Sequence, residues 1–312
     1  PHEPVSFKNQ RVGIIGTGSS GIQAIPVIAE EADHLTVFQR TPNFSVPAKN
    51  EPLDQDWVTE FKKNYRAHRE NHKLAIGSGF GDLKIEPRDG PVEPILRSQL
   101  SEDKATQILE EAWETGGAKF MGAIGDQLMD EEANRFAKEF VHRKIHETVT
   151  DQETANLLCP TNHPIGTRRI CVDIGYYETY NRENVTLLSV KDNPIEEITE
   201  TGVMVNGELT ELDTLVLATG FDAMTGALLN MDIRGKAGLA LSEKWHAGPR
   251  SYLGIAVADF PNLFTITGPG SPSVLSNMMV SIEQHVDWTI DCLAHMKEQD
   301  LKVFEAQTQA ED

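Results

Sequence analysis

The sequence predicts an α/β fold built on a parallel sheet, and three observations lead to this prediction. Near the start, an apolar stretch at residues 12–15 runs into a glycine-rich turn at residues 16–21, which opens a helical pattern. A second apolar stretch follows at residues 35–39, at the spacing of a β-α-β unit. Strand patterns return after Pro160, at residues 185–190 and 212–221. Strands that alternate with helices favour a parallel sheet.

The glycine-rich turn has the pattern of a Rossmann-like dinucleotide site. Gly16 permits the tight turn, Gly18 lets the backbone approach a pyrophosphate, and Gly21 lets the helix pack close to the strand. The helix N-terminus adds N–H groups and a partial positive charge, although Pro26 is expected to remove one hydrogen bond or kink this helix. Six residues are therefore expected to hold the cofactor: Gly16, Thr17, Gly18, Ser19, Ser20 and Gly21.

The end of the second strand indicates which dinucleotide binds. An NAD site usually places Asp or Glu there, against the ribose 2′-hydroxyl. This chain places Gln39, Arg40 and Thr41 at that point instead. A cation favours the 2′-phosphate, so the sequence predicts NADPH.

The rest of the chain divides into a helical part and a second α/β part. Residues 51–158 have apolar residues at helical spacing and are too long for a crossover, so they predict a helical insertion. A hairpin is predicted over residues 195–205, and a further strand over residues 263–267. A glycine-rich loop at residues 268–273 then leads into a long helix with an apolar face.

Composition excludes several functions. The 28 Lys and Arg against 48 Asp and Glu give a net charge of -20, which disfavours nucleic acid and anionic membranes as partners. No apolar run is long enough to span a membrane. Cys159, Cys171 and Cys292 suit packing in a reducing, cytoplasmic setting. No metal site is expected, since His68 and His72 lie on a charged helix face; Met278 and Met279 are expected in the core.

Three further stretches are candidates for chemistry. The adjacent Arg168 and Arg169 are either solvated charges or partners of a cofactor phosphate or a reaction oxyanion. The turn at residues 217–221 lies where open α/β sheets bind ligands, but an ordinary turn has the same pattern. The loop at residues 268–273 offers N–H donors to the N1–C2=O edge of a flavin, or Ser273 merely caps the next helix.

Several of these segments together resemble Baeyer–Villiger monooxygenases. Residues 14–23 with 37–42 are similar to the NADPH-binding half of that family. Residues 113–117, 166–169, 176–182, 217–226 and 268–278 fit the same family. The resemblance covers nearly the whole chain and is closest to the phenylacetone and cyclohexanone monooxygenase type.

The resemblance implies a reaction and the residues that serve it. In the family, NADPH reduces FAD, and reduced FAD reacts with O2 to a C4a-peroxyflavin that converts a ketone to an ester or lactone. Arg169 matches the catalytic arginine, and Arg40, Thr41 and Arg168 match residues that meet the 2′-phosphate, with arginine at 168 where lysine is usual. Further residues match cofactor contacts (Ala218, Thr219, Gly220) and the substrate pocket (Ser273, Val274, Leu275).

The resemblance also implies an incomplete chain. The family's FAD-binding GxGxxG, its FxGxxxHxxxWP fingerprint, the acidic partner of the arginine and a C-terminal segment have no match here. The expected domains are an NADPH-binding domain at residues 1–210 and the second half of an FAD-binding domain at residues 211–312. Two alternatives stay open: an N- or S-oxygenating flavin monooxygenase, disfavoured by the insertion and residues 166–169, and an isolated NADPH-binding module without turnover.

Overall fold

The computed structural model describes residues 4–74, 94–271 and 278–311, which form two compact units. The first unit contains residues 4–52 and 94–220, and the second contains residues 53–74, 221–271 and 278–311. The strands are β1 Arg11–Ile15, β2 His34–Gln39, β3 Ser45–Pro47, β4 Cys171–Asp173, β5 Val185–Ser189, β6 Ile195–Thr199, β7 Gly202–Val205, β8 Glu208–Glu211 and β9 Thr214–Leu217. The α-helices are α1 Ser19–Glu31, α2 Gln55–Lys63, α3 Tyr65–Leu74, α4 Glu102–Thr115, α5 Glu131–Thr148, α6 Gln152–Leu158, α7 Tyr176–Thr179, α8 Gly226–Leu229, α9 Leu241–Lys244 and α10 Met278–Glu298.

A parallel four-stranded sheet organises the first unit, as the sequence predicts. Its strand order is β5-β2-β1-β9, so β1 lies between β2 and β9. In register, Gly13 is opposite Thr36 on β2 and Leu215 on β9. All four strands therefore end at one edge, where the loops after them converge. Within the described residues the predicted α/β class is confirmed.

Helix α1 covers β1 and β2 with an apolar face. Ile22 and Ile25 are fully buried and pack in the same core as Val12 and Leu35. Pro26 lies inside the helix, is itself buried, and does not end it. Burial of the surrounding isoleucines outweighs the one hydrogen bond that proline cannot make, which is why the helix continues.

Two smaller sheets flank the four-stranded one in the first unit. Strands β3 and β4 pair in parallel, with Val46 opposite Val172. Strands β6 and β7 form the predicted hairpin, and β8, which the sequence analysis did not predict, adds a third antiparallel strand. The β3–β4 pair matters for function because it fixes the segment that follows Arg169.

The predicted insertion is mainly helical where the structure describes it, with turns such as residues 123–130 between the helices. Helices α2 to α6 lie within it, and Asp54, Ser101, Asp130 and Asp151 accept backbone N–H groups at helix starts. Helices α4 and α5 bury Trp113 and Phe140, whose ring centroids are 5.9 Å apart. Residues 53–74, which carry α2 and α3, belong to the second unit.

Two expectations about the second unit are wrong. Residues 263–267 form no strand: the N–H of Thr265 bonds to the Ile255 carbonyl and that of Thr267 to Nδ1 of His285, so loop and side-chain partners replace a ladder. Helix α10 buries Ser281 and His285, whereas Met279, expected in the core, is 63% exposed. Among the described helices, none is long and apolar enough to cross a membrane.

Candidate functional site

The glycine turn at residues 16–21 follows β1, and at two of its positions neighbouring backbone leaves no space for a side chain. Gly16 has φ +111°, and a Cβ there would lie 2.4 Å from the Ala218 carbonyl oxygen. A Cβ on Gly21 would lie 2.1 Å from the Gly16 carbonyl oxygen. A Cβ on Gly18, in contrast, would meet no atom within 4 Å. Gly16 and Gly21 therefore serve the close packing of turn, strand and helix, while Gly18 leaves open space beside the turn.

The N-terminus of α1, whose first backbone N–H groups have no partner within the helix, lies beside this open space. Gly18 is its N-cap and supplies no side-chain cap, and no acidic residue lies in the first turn. The earliest backbone bond of the helix runs from the Ile22 N–H to the Gly18 carbonyl. The N–H groups of Ser19 and Ser20 precede that bond and, with the helix dipole, favour an anionic group there.

Arg40 and Thr41 leave β2 at the same edge. Arg40 is exposed and, within the described residues, makes no ion pair. The Thr17 hydroxyl donates a 3.0 Å hydrogen bond to the Thr41 carbonyl, and Thr17 is 3% exposed. The Thr17 side chain, predicted to contact the cofactor, thus ties the glycine turn to the loop that carries Arg40.

Arg168 and Arg169 reach the site from the loop between α6 and β4. Both are exposed, and neither pairs with a carboxylate in the part of the chain that the structure describes. Burial lowers the pKa of His163, and the positive charge of Arg168 lowers it further. Two unneutralised guanidinium groups at one sheet edge create a local positive potential in a strongly acidic chain.

The four predicted segments line one cavity of about 690 Å³. This volume lies within the range of small-molecule sites, about 300–1,000 Å³. Ala218, Thr219 and Gly220 enter it from the end of β9, and the Ala218 N–H bonds to the Ile15 carbonyl at 2.9 Å. Of the predicted cofactor residues, the lining contains Gly16, Thr17, Gly18, Ser19, Ser20, Arg40, Thr41, Arg168, Ala218, Thr219 and Gly220, together with Arg169. Gly21 is not in the lining and acts through packing.

Several further residues line the cavity but were not among the predicted site residues: Phe38, Asn43, Val190, Pro194 and Ile195. Val190 is the last residue of the strand predicted over residues 185–190 and directly follows β5 in the structure, and strand ends at one edge of a parallel sheet converge. Applied to the predicted strands, this convergence of strand ends would have identified Val190 as a lining residue. Asn43 lies in the loop after β2, and its role depends on a contact with a segment 126 residues away, which no local pattern reveals.

The predicted substrate-pocket residues Ser273, Val274 and Leu275 lie outside the described residues. The start of their loop is described in the second unit. Gly270 has φ +89°, and the Ser251 hydroxyl donates a 2.5 Å hydrogen bond to the Pro269 carbonyl. The Ser271 hydroxyl is buried and has no hydrogen-bond partner within the described residues, as a group that meets a bound molecule would be. No cluster of metal-ligating side chains occurs among the described residues.

Comparison with known proteins gives relatives over nearly the whole chain. A cyclohexanone 1,2-monooxygenase from Acinetobacter sp. is 41% identical over 99% of this chain and 55% of its own length. A Baeyer–Villiger monooxygenase from Pseudooceanicola batsensis is 38% identical with the same coverage. A phenazine N-monooxygenase from Lysobacter antibioticus is also 38% identical, over 99% of this chain and 55% of its own length.

A solved structure agrees with these relatives. The oxidized steroid monooxygenase bound to NADP has a TM-score of 0.86 and 46% identity, and the match covers 99% of this chain and 58% of that one. No family model matches the chain. The chain spans about half the length of the curated relatives it matches. On this similarity over 99% of its length, the chain belongs to the Baeyer–Villiger monooxygenase family.

Proposed function

We propose that the chain supplies the NADPH site and the catalytic arginine of a flavin-dependent Baeyer–Villiger monooxygenase. Such an enzyme inserts one oxygen atom of O2 beside a ketone carbonyl and forms an ester or lactone. The observation that carries the proposal is the shared cavity of the glycine turn, Arg40 with Thr41, and Arg168 with Arg169. Its relatives include cyclohexanone and cyclopentanone monooxygenases, which supports a ketone as the substrate class.

The described residues fit NADPH. Gly18 leaves room for the pyrophosphate, and the N-terminus of α1 offers N–H donors to it. Arg40 and Thr41, at the end of β2, would bind the 2′-phosphate, with Arg168 as a second cation in the same cavity. A related structure contains bound NADP, in agreement with this assignment.

FAD is the second cofactor of the proposal. Bound FAD supplies the reaction with O2 that protein side chains cannot perform. The loop at residues 268–271, with its buried and unpartnered Ser271 hydroxyl, is the described feature that fits a neighbouring flavin. Because β9 pairs with β1, we place the domain boundary expected at residue 210 after residue 220. We assign residues 4–52 and 94–220 to the NADPH-binding domain and residues 221–271 and 278–311 to the second half of the FAD-binding domain. Structures of a related monooxygenase contain FAD and NADP together.

Arg169 would stabilise the negative charge that develops on oxygen during the reaction. Its guanidinium is permanently charged and is not neutralised by a carboxylate within the described residues. A fixed positive charge is most effective once a bound substrate and cofactor exclude water from the cavity. This role makes Arg169 the residue on which ester formation depends most strongly.

Product analysis tests this role. In the flavin-loaded protein that contains this chain, Arg169→Ala is expected to lower ester formation from a cyclic ketone by a factor of about 100 or more. Flavin reduction by NADPH should continue, because the 2′-phosphate contact at Arg40 is retained. Arg135→Ala, which removes an exposed arginine of α5, is the matched control. An unchanged ester yield in Arg169→Ala contradicts the assignment.

Oxygenation of nitrogen or sulfur is the second candidate. The phenazine N-monooxygenase aligns with 99% of this chain, so its similarity spans the insertion and residues 166–169. These features therefore do not separate ketone oxidation from N-oxygenation. Supplying a cyclic ketone, a phenazine and a sulfide separately distinguishes the reactions: an ester or lactone supports the first proposal, and an N-oxide or sulfoxide without ester supports the second.

Two simpler properties complete the proposal. A purified chain that binds NADP+ but shows no flavin absorption would be a nucleotide-binding module by itself. We also propose a cytoplasmic location, since all three cysteines, Cys159, Cys171 and Cys292, are free thiols.

A further inference from the structure

Asn43 connects the loop after β2 to the loop that carries Arg169. It is 9% exposed, and its Nδ2 donates a 3.3 Å hydrogen bond to the Arg169 carbonyl oxygen. Its Oδ1 accepts a 3.0 Å bond from the Phe44 N–H. The side chain is therefore held at one end by the backbone of the next residue, Phe44, and holds the backbone of Arg169 at the other.

The same amide reaches the nucleotide helix through Cys171. Nδ2 of Asn43 lies 3.4 Å from the Cys171 sulfur, and that sulfur lies 3.3 Å from the Ser19 hydroxyl at the start of α1. Main-chain pairing supports this arrangement, because the Cys171 N–H bonds to the Phe44 carbonyl at 3.1 Å. Asn43 thus lies at the junction of three segments of the cavity: the start of α1, the loop after β2 and the arginine loop.

Arg169 needs such a support. Its side chain is exposed and pairs with no carboxylate in the described part of the chain, so the placement of its guanidinium depends on the placement of its backbone. An amide is suited to this position because it donates and accepts at once. An aspartate at position 43 would have the same shape and could still accept from the Phe44 N–H. It would, however, place an acceptor oxygen instead of a donor against the Arg169 carbonyl oxygen.

We propose that Asn43 is a positioning residue that places Arg169 in the cavity. This inference rests on the proposed function, because it acts through Arg169. It predicts that the donated hydrogen bond matters more than the volume of the side chain. Asn43→Asp keeps the shape, loses the donor and adds a negative charge beside Arg168 and Arg169, so it should impair the site at least as much as Asn43→Ala.

The first measurement uses the flavin-loaded protein that contains this chain. Asn43→Asp is expected to lower the ester formed per NADPH consumed by about tenfold, because losing a buried donor costs on the order of one factor of ten. Asn184→Asp is the matched control: the Asn184 amide donates to the Ala29 and Ala32 carbonyls at 3.0 Å, outside the cavity lining. The control should lower thermal stability and leave the ester yield per NADPH unchanged.

A double-mutant cycle in NADP+ affinity, measured by calorimetry, tests whether Asn43 acts through Arg169. Arg169→Ala should weaken NADP+ binding, because its guanidinium lies in the same cavity lining as the proposed 2′-phosphate contacts and pairs with no carboxylate among the described residues. Asn43→Ala, which removes the donor without adding a charge, should weaken it too, and the double variant should bind like Arg169→Ala alone. Additive losses would overturn the positioning role, and so would an Asn43→Asp protein that behaves like the unsubstituted one. Failure of the unsubstituted protein to bind NADP+ would instead contradict the proposed function.

Discussion

At the scale of single residues, Gly18 and Gly21 show how two glycines of one turn serve different purposes. A Cβ at Gly21 would lie 2.1 Å from the Gly16 carbonyl oxygen, whereas a Cβ at Gly18 would meet no atom within 4 Å. Gly18 also has φ -84°, which any residue adopts. The fold therefore requires glycine at 21, and ligand access is the remaining physical reason for glycine at 18.

This difference gives a prediction with an internal control. Gly21→Ala should destabilise the protein by about 1–3 kcal/mol, since backbone must move to admit the methyl group. Gly18→Ala should change the free energy of unfolding by less than about 1 kcal/mol. It should nevertheless weaken NADP+ binding strongly, because its methyl group occupies the open space beside the turn. Chemical denaturation and calorimetry measure the two quantities, and equal NADP+ affinity in Gly18→Ala contradicts this role.

Part of the candidate site could be predicted from residue types and their local spacing, whereas the rest depends on contacts between residues far apart in the sequence. The glycines and Arg40 follow from local spacing, because the turn and the strand end belong to one β-α-β unit. The hydrogen bond from Thr17 to the Thr41 carbonyl joins residues 24 apart, and that from Asn43 to Arg169 joins residues 126 apart. Such bonds depend on tertiary structure and leave no local pattern in the sequence. The sequence therefore predicted Thr17 only as a cofactor contact, without its bond to Thr41, and did not predict Asn43 at all.

At the scale of secondary structure, Arg11 fastens β1 to the start of β9. Its backbone N–H donates to Asp213 at 2.8 Å, and its guanidinium bonds to Asp213 at 2.9 Å and to Glu211 at 2.5 Å. The Arg11 side chain lowers the pKa of the Asp213 carboxyl from 3.8 to about 2. These two strands carry the glycine turn and the Ala218–Gly220 segment at their carboxyl ends, so the pair anchors the same strands at the edge of the sheet opposite the cavity.

The pair gives a pH dependence with a defined sign. Because the folded-state pKa of Asp213 is below 3.8, the stabilisation is fully present above pH 3.8 and is lost as pH falls toward 2. The stability difference between the unsubstituted protein and Arg11→Met should therefore shrink over that interval. High salt should shrink it too, since the groups are exposed.

Urea unfolding at several pH values measures the difference. Arg135→Met is the control, because its partner Glu139 lies 3.9 Å away on the exposed face of α5. A stability difference for Arg11→Met that stays constant from pH 4 to pH 2 would contradict the assigned interaction.

Elements of the first unit could be predicted better than those of the second. In the first unit each strand has a hydrogen-bonded neighbour, parallel or antiparallel, so apolar runs such as 35–39 become strands as their pattern indicates. In the second unit the apolar run 263–267 has no ladder partner within the described residues and forms a loop. The apolar residues Val286, Ile290 and Leu293 of α10 are likewise exposed rather than buried. An apolar pattern predicts a strand or a buried helix face correctly only where a neighbouring element is present to pair or pack with it.

At the scale of the whole molecule, net charge determines what nucleotide binding requires, and chain length determines which part of the proposed function can be tested. A net charge of -20 opposes the binding of any anion, so local groups must provide the affinity for a nucleotide. Arg40, Arg168 and Arg169 supply that local charge in one cavity. Because the chain spans about half the length of its curated relatives, nucleotide binding is the part of the proposed function that these residues can be tested for directly.

The selectivity between NADP+ and NAD+ tests the central claim most directly, because the two differ by the 2′-phosphate alone. Calorimetric titration should give tighter binding of NADP+ in the unsubstituted protein. Arg40→Ala should weaken NADP+ by about 10- to 100-fold, as expected for a lost charge-assisted contact, and change NAD+ affinity little. Arg135→Ala should change neither. Equal losses for both nucleotides in Arg40→Ala, or no preference for NADP+ in the unsubstituted protein, would contradict the account.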